Sequence, residues 1–380
     1  MWQTAIHKYK LLIEFIFLVG FLYVTRVGLF LHWTGASFPL SLKWEADLGN
    51  STYERPAYQQ GVVFFPANSL ITSYWYGIDA TTGQIIWIRQ TPQNSYLRCL
   101  NLNYLVVSGD NSLLALKTTD GGVAWKGKRA YTATCSDEVI FFSAYYRDTF
   151  YAVSIPNGQK LWTFMPDEMK NWSELKGYTG LGTLVYNPER DELIASGAVI
   201  ISPTSGKIIR VLHPTLVIDI SSKELVNRGQ IFFGGTVLDV QTGQMLHKEE
   251  RYISDLPPTV TADTVYLASG SKVVALNRDT YEVKWVYSPQ GLLPLYTTSS
   301  IAVLNGIGYV IYSDATLYAI DLNTGQEQGH WQPGIFDLLF WPCIIPQSPN
   351  CRSQTGVGMT TSDDSLFASF SNGKLYAFGR

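Results

Sequence analysis

Apolar residues in this chain fall into short runs rich in β-branched and aromatic types, as in Gly61-Val62-Val63-Phe64-Phe65, Glu138-Val139-Ile140-Phe141-Phe142 and Thr264-Val265-Tyr266-Leu267-Ala268. Runs of that composition read as strands. After each comes a second pair of runs folded about a turn, and there the pattern tightens: a small residue, then Asp, Asn or another polar residue, then Gly, then Trp. The clearest copy is Gly77-Ile78-Asp79-Ala80-Thr81-Thr82-Gly83-Gln84-Ile85-Ile86-Trp87. Counted by the turn residue, copies recur at Gly83, Gly121, Gly158, Gly206, Gly243, Tyr281 and Gly325. Those from Ala115 to Trp125, Ala152 to Trp162 and Ala275 to Trp285 are well kept. The copy from Val237 puts His247 in place of Trp, the Gly206 copy has Arg210 at the aromatic position, and the Gly325 copy reads as delaying its aromatic to Trp331.

Each residue type in the pattern has a local physical role. Asp or Asn ahead of a turn accepts backbone N–H bonds, and Gly supplies the positive φ of a tight connection. The small residue lets neighbouring backbones approach, while the flat, apolar indole can wedge between successive units. Four strands per copy, at a period of roughly 40 residues, predict an all-β protein in which each copy is one blade of a β-propeller. The two ends of the chain set the blade count. Lys374-Leu375-Tyr376-Ala377-Phe378-Gly379 repeats the first half of the motif without its turn and Trp, and Leu42-Lys43-Trp44-Glu45 looks like an outer strand without its blade. Joined, they complete an eighth blade and remove two exposed sheet edges. The expectation is an eight-bladed β-propeller over residues 40–380, closed by an N-terminal strand, with seven blades as the alternative. Trp44, Trp87, Trp125, Trp162 and Trp285 should dock blade against blade, and His247 should pack likewise.

The Ala, Asp, Thr-Gly and Trp consensus seen from Gly77 to Trp87 resembles the pyrroloquinoline-quinone-like (quinoprotein-like) propeller repeats, and the resemblance covers roughly residues 40–380. It implies the repeat type; the motif residues build blades and do not themselves carry chemistry. Enzymes of that family imply a quinone stacked on Trp and, in many, on a ring of adjacent cysteines, beside a Ca²⁺ held by acidic and amide groups and an Asp base. This chain has no adjacent cysteines, and Asp363-Asp364 precedes a strand as a turn would. The organisation is similar to the non-enzymatic propeller lipoproteins of the outer-membrane β-barrel assembly machinery. That likeness implies a scaffolding role without a cofactor, with a quinoprotein dehydrogenase binding pyrroloquinoline quinone as the alternative.

Ahead of the repeats, residues 11–33 form an apolar stretch long enough to cross a bilayer core of ~30 Å. Lys8 and Lys10 precede it and the next basic residue after the stretch is Lys43, so the charge rule for membrane orientation puts residues 1–10 in the cytoplasm and the propeller on the periplasmic or extracellular side. A cleaved signal peptide ending near Thr34-Gly35-Ala36 is the alternative. Arg26 lies inside the apolar stretch, where a charge is costly unless paired, and is a candidate contact to another subunit of a membrane complex.

Four cysteines fit an oxidising compartment. Cys99 and Cys135 occupy matching places on the innermost strands of adjacent blades, within reach of a disulfide or present as buried thiols; Cys343 and Cys351 lie close together in one loop and are expected to staple it with a second disulfide. None has a Cys or His at zinc-ligand spacing, so no metal site is expected. The net charge is −3, and because residues 1–33 carry +2 the remainder carries −5. A mildly acidic propeller is a poor nucleic-acid binder. No phosphate loop, paired-His zinc helix or nucleophile elbow is present.

Two connections exceed the length a propeller needs. Met165 to Arg190 is polar, with a short helix expected at 167–175. The insertion at about 329–361 is strongly apolar, and Phe336, Leu339, Phe340 and Trp341 are its candidate partner-binding anchors, because buried aromatics dominate interface energies.

Overall fold

The backbone adopts the turns that the sequence encodes. At Gly83, Gly121, Gly158, Gly206, Gly243, Tyr281 and Gly325 φ lies between +59° and +74°. Ahead of them, the carboxylate of Asp79 accepts the amides of Thr81 and Thr82 and the Thr82 hydroxyl. Asp239 and Asp321 do the same for Gln241 and Thr242 and for Asn323 and Thr324. These donors hold the carboxyls of Asp79 and Asp321 below the usual range, and that of Asp239 is lowered as well.

The computed structural model describes residues 37–49, 54–68, 72–110, 112–143, 149–164, 184–195, 199–212, 225–233, 235–249, 251–252, 254, 256–290, 295–333, 358–370 and 372–380. The candidate span at 11–33 and the expected helix at 167–175 lie outside them. Among the described residues no helix is long and apolar enough to cross a membrane.

The strands form eight four-stranded antiparallel sheets. Blades 1 to 7 run over 57–91, 96–128, 133–164, 184–211, 225–248, 259–287 and 302–331, and blade 8 joins 358–379 to 41–47. First strands of neighbouring blades lie against one another and surround the central axis, so the fourth strand of each blade is outermost. Blade 8 closes the ring: Ser41–Asp47 pairs antiparallel with Lys374–Gly379, with Trp44 opposite Ala377 and Glu45 opposite Tyr376. The core is divided among eight apolar clusters, each spanning the seam between two neighbouring blades.

At five of the eight seams the Trp that closes the motif reaches the next blade. The indole N–H of Trp44, Trp87, Trp162 and Trp285 donates to the carbonyls of Ala80, Thr118, Pro203 and Leu322, at 3.0, 2.9, 2.6 and 3.0 Å; Trp125 donates to Ile155. The ring lies flat on the next blade's turn glycine. A Cβ on Gly121 would stand 2.6 Å from the ring of Trp87, so only glycine fits there.

Where the indole is missing, its partners have changed with it. Opposite Trp stands Gly or Ala, but opposite Arg210 stands Ile200 and opposite His247 stands Val237. Arg210 makes the indole's bond, Nη2 to the Val240 carbonyl at 3.2 Å, and forks onto the buried Glu192. His247 stacks on the ring of Tyr281, the residue that replaces the turn glycine, with centroids 4.8 Å apart.

The register corrects one sequence expectation. In blade 7 the aromatic position, opposite Ala319, is held by Gly329, and Trp331 pairs two places further on with Leu317. Blade 8 has no turn between its third and fourth strands to receive an indole, because the chain enters there. The Ser37 carbonyl fills the space, 2.0 Å from where a Cβ on Gly329 would be, and Phe38 packs edge-on to Tyr309 and Phe378.

Candidate functional site

Strand direction separates the two faces of the ring. The motif turns, joining third to fourth strands, all lie on one face, and Ser41 begins its strand there. The opposite face carries the connectors from each outer strand to the next blade, so the residues bracketing both long insertions, Phe164 and Leu184, and Pro333 and Gly358, belong to it. The chain therefore enters the ring on one face and presents its insertions on the other.

The candidate anchors Phe336, Leu339, Phe340 and Trp341, the cysteines Cys343 and Cys351, and Arg26 lie outside the described residues. The base of the apolar insertion is firmly built. Trp331 packs against Phe370, Tyr376 and Phe378 of blade 8, and the Gln332 amide donates to the Thr316 hydroxyl.

Beside that base lies a polar cluster with no sequence signature. The Tyr287 phenol of blade 6 donates to Glu327 at 2.6 Å, and the other carboxylate oxygen of Glu327 meets His330 Nδ1 at 2.8 Å. Burial, then the Glu327 carboxylate, pushes the Tyr287 phenol well above its ordinary range. Asp314, held by the amide and hydroxyl of Thr316, is likewise raised by burial. Each polar group here is bonded to another group of the fold, so the cluster ties blade 6 to blade 7 at the foot of the insertion.

The inner strands carry the bridge between Cys99 and Cys135, with Cα atoms 5.8 Å apart, which staples blade 2 to blade 3. A closed loop with a sequence separation of 36 removes chain entropy worth about 4 kcal/mol from the unfolded state. The Cys99→Ala/Cys135→Ala variant should lose that amount in chemical denaturation. An unchanged midpoint would mean that the bridge does not restrain the unfolded chain as this loop length requires.

Among the described residues, no group of three or more His, Cys, Asp or Glu is placed to hold a metal. The cysteines of the inner strands are bridged across blades and are not adjacent in sequence, so they do not supply the ring of adjacent cysteines that many enzymes with this repeat carry.

Residues 236–332 match the family PQQ_2, described as outer membrane protein assembly factor BamB. No curated protein matches the chain. Among solved structures, BamB from Moraxella catarrhalis aligns with a TM-score of 0.63 at 15% identity, over 90% of this chain and 98% of that one. A europium-containing methanol dehydrogenase aligns with a TM-score of 0.61 at 13% identity, over 90% and 93%. Sqt1 from Saccharomyces cerevisiae reaches 0.63 at 9%, over 90% and 100%. At such identities the likeness shows the fold, and it is shared by proteins of unlike names. In repeat and in fold together, this chain resembles the pyrroloquinoline-quinone-like propeller family and stands near BamB.

Proposed function

We propose that this protein is a membrane-anchored, extracytoplasmic and non-catalytic propeller that serves as an interaction scaffold or accessory subunit of a membrane complex. The observation that carries the reading is the separation of faces. Ser37, Phe38 and Leu40 are already docked on the ring, so only residues 34–36 link it to that stretch, too short to let the ring turn over, since an extended chain spans at most ~3.6 Å per residue. If 11–33 is the anchor, the motif-turn face lies toward the bilayer, and Pro333 and Gly358, the two ends of the apolar insertion, lie on the face away from it, toward soluble parts of a partner. The bridge between Cys99 and Cys135 suits an oxidising compartment, and the match of residues 236–332 to a BamB family adds an assembly role by analogy.

Gentle detergent extraction of the full chain, followed by identification of what stays bound, tests the reading. A stoichiometric partner is expected. It should be lost when Phe336, Leu339, Phe340 and Trp341 are changed to Ser, and weakened by Arg26→Leu. A bound quinone chromophore with dye-linked alcohol oxidation would overturn the proposal in favour of a dehydrogenase.

A further inference from the structure

The inner strand of blade 2, Tyr96–Leu100, contains a residue outside the ladder. Leu97 pairs with Val107 and Cys99 with Val106, so Arg98 is the extra residue of a β-bulge. A bulge bends its strand and re-aims one side chain. This one cannot slide, because the next residue, Cys99, is bridged to blade 3.

Arg98 is set in place with Glu54 as its nearest opposite charge and with one donor left over. Its Nε is sealed from solvent and has no hydrogen-bond partner. Its guanidinium sits over the Tyr96 ring at 5.5 Å. Burial lowers its pKa below the usual arginine range; Glu54 opposes that shift and Arg129 adds to it. Leaving a buried charged donor unpaired is expensive, so a fold that keeps one has a use for it.

The surroundings say what the use is. Glu54 precedes the inner strand of blade 1, and Arg129 and Tyr131 precede that of blade 3, so all converge with Arg98 around the central axis on the insertion face. Nε is sealed, but the side chain as a whole is only half-buried, so part of it faces solvent at this mouth.

We infer that Arg98 is the floor of an anion-binding site at this mouth of the central channel, and that its ligand is a carboxylate received end-on by the two Nη groups. A planar guanidinium matches a carboxylate fork. With Glu54 nearby, the local charge suits a single negative charge better than a phosphate dianion. The carboxylate can come from a free small acid or from an acidic side chain of a bound protein. The inference stands apart from the scaffold reading, since either source can be true of a scaffold or an enzyme.

The test is thermal unfolding of the full-length protein in detergent, in sodium chloride and, at matched ionic strength, in sodium acetate, sodium citrate or a hexaglutamate peptide. The wild-type midpoint should rise with carboxylate and not with chloride. Arg98→Met should abolish the rise while keeping a cooperative melt in chloride. Arg98→Lys keeps the charge but loses the fork, so it should bind roughly tenfold more weakly. A response to acetate or citrate assigns the site to a free acid, and one confined to the peptide assigns it to a protein acid. No response, or an equal response in Arg98→Met, would each overturn the inference.

Discussion

Removing residues 1–36 is expected to leave a folded ring, and removing residues 1–47 is expected to abolish it. The eleven residues that separate the two truncations do most to hold blade 8. Ser41–Asp47 is the outer strand of that blade, and without it Lys374–Gly379 becomes an unpaired edge. Trp44 would no longer cover Gly83 or donate to Ala80. The seam between blades 8 and 1 would lose an indole, and the seam between blades 7 and 8 would lose Leu40 and Phe38. Lys43 also ties the closing strand to Ser365 and Asp364. Size-exclusion chromatography and circular dichroism of the two truncations check this. A compact, cooperatively melting 48–380 fragment would show that the ring does not depend on its closing strand.

The second large effect belongs to Trp87, which is 7% exposed in the seam between blades 1 and 2. Trp87→Ala removes the ring, leaves the Thr118 carbonyl without its donor, and uncovers Gly121. Trp→Ala in a packed core costs about 3–5 kcal/mol. Gly121→Val should be comparably severe for a separate reason, since it places a branched side chain at φ +64° and drives its Cβ into the indole. His247→Ala should cost clearly less. Its ring is smaller, its Nε2 has no hydrogen-bond partner to lose, and Tyr281 fills much of the seam from the other side. Chemical denaturation of the three variants checks the order, and a His247→Ala loss equal to that of Trp87→Ala would refute it.

The blades were readable from sequence because the information that builds them is local. Asp79, Thr82 and Gly83 fix a turn within a few residues, and Trp87 fixes its seam by a rule repeated around the ring. Pairing of the two chain ends was also readable, because each carries the half of the motif that the other lacks. What stayed hidden was non-local. Nothing near Gly329 says that Ser37 and Phe38, far away in sequence, will occupy the place of its missing indole, so Trp331 was the natural choice. Arg210 looks like a worn copy until Glu192 is seen beneath it. Arg98 differs from an ordinary surface arginine only through a bulge and the neighbours gathered by two other blades. The cluster of Tyr287, Glu327 and His330 likewise needs two blades to exist. The one signal that pointed toward Arg98 was a charge in the middle of an otherwise apolar innermost strand.

The entry of the chain at Ser41 also has a mechanical consequence. Tension on the preceding residues runs along the axis of the closing strand, so it loads the pairs from Ser41–Gly379 to Asp47–Lys374 together, in shear, and cannot peel them apart one at a time. Phe38, wedged against Tyr309 and Phe378, meets that load first. Were residues 11–33 an anchor, the ring could be tugged by that link without being unfastened.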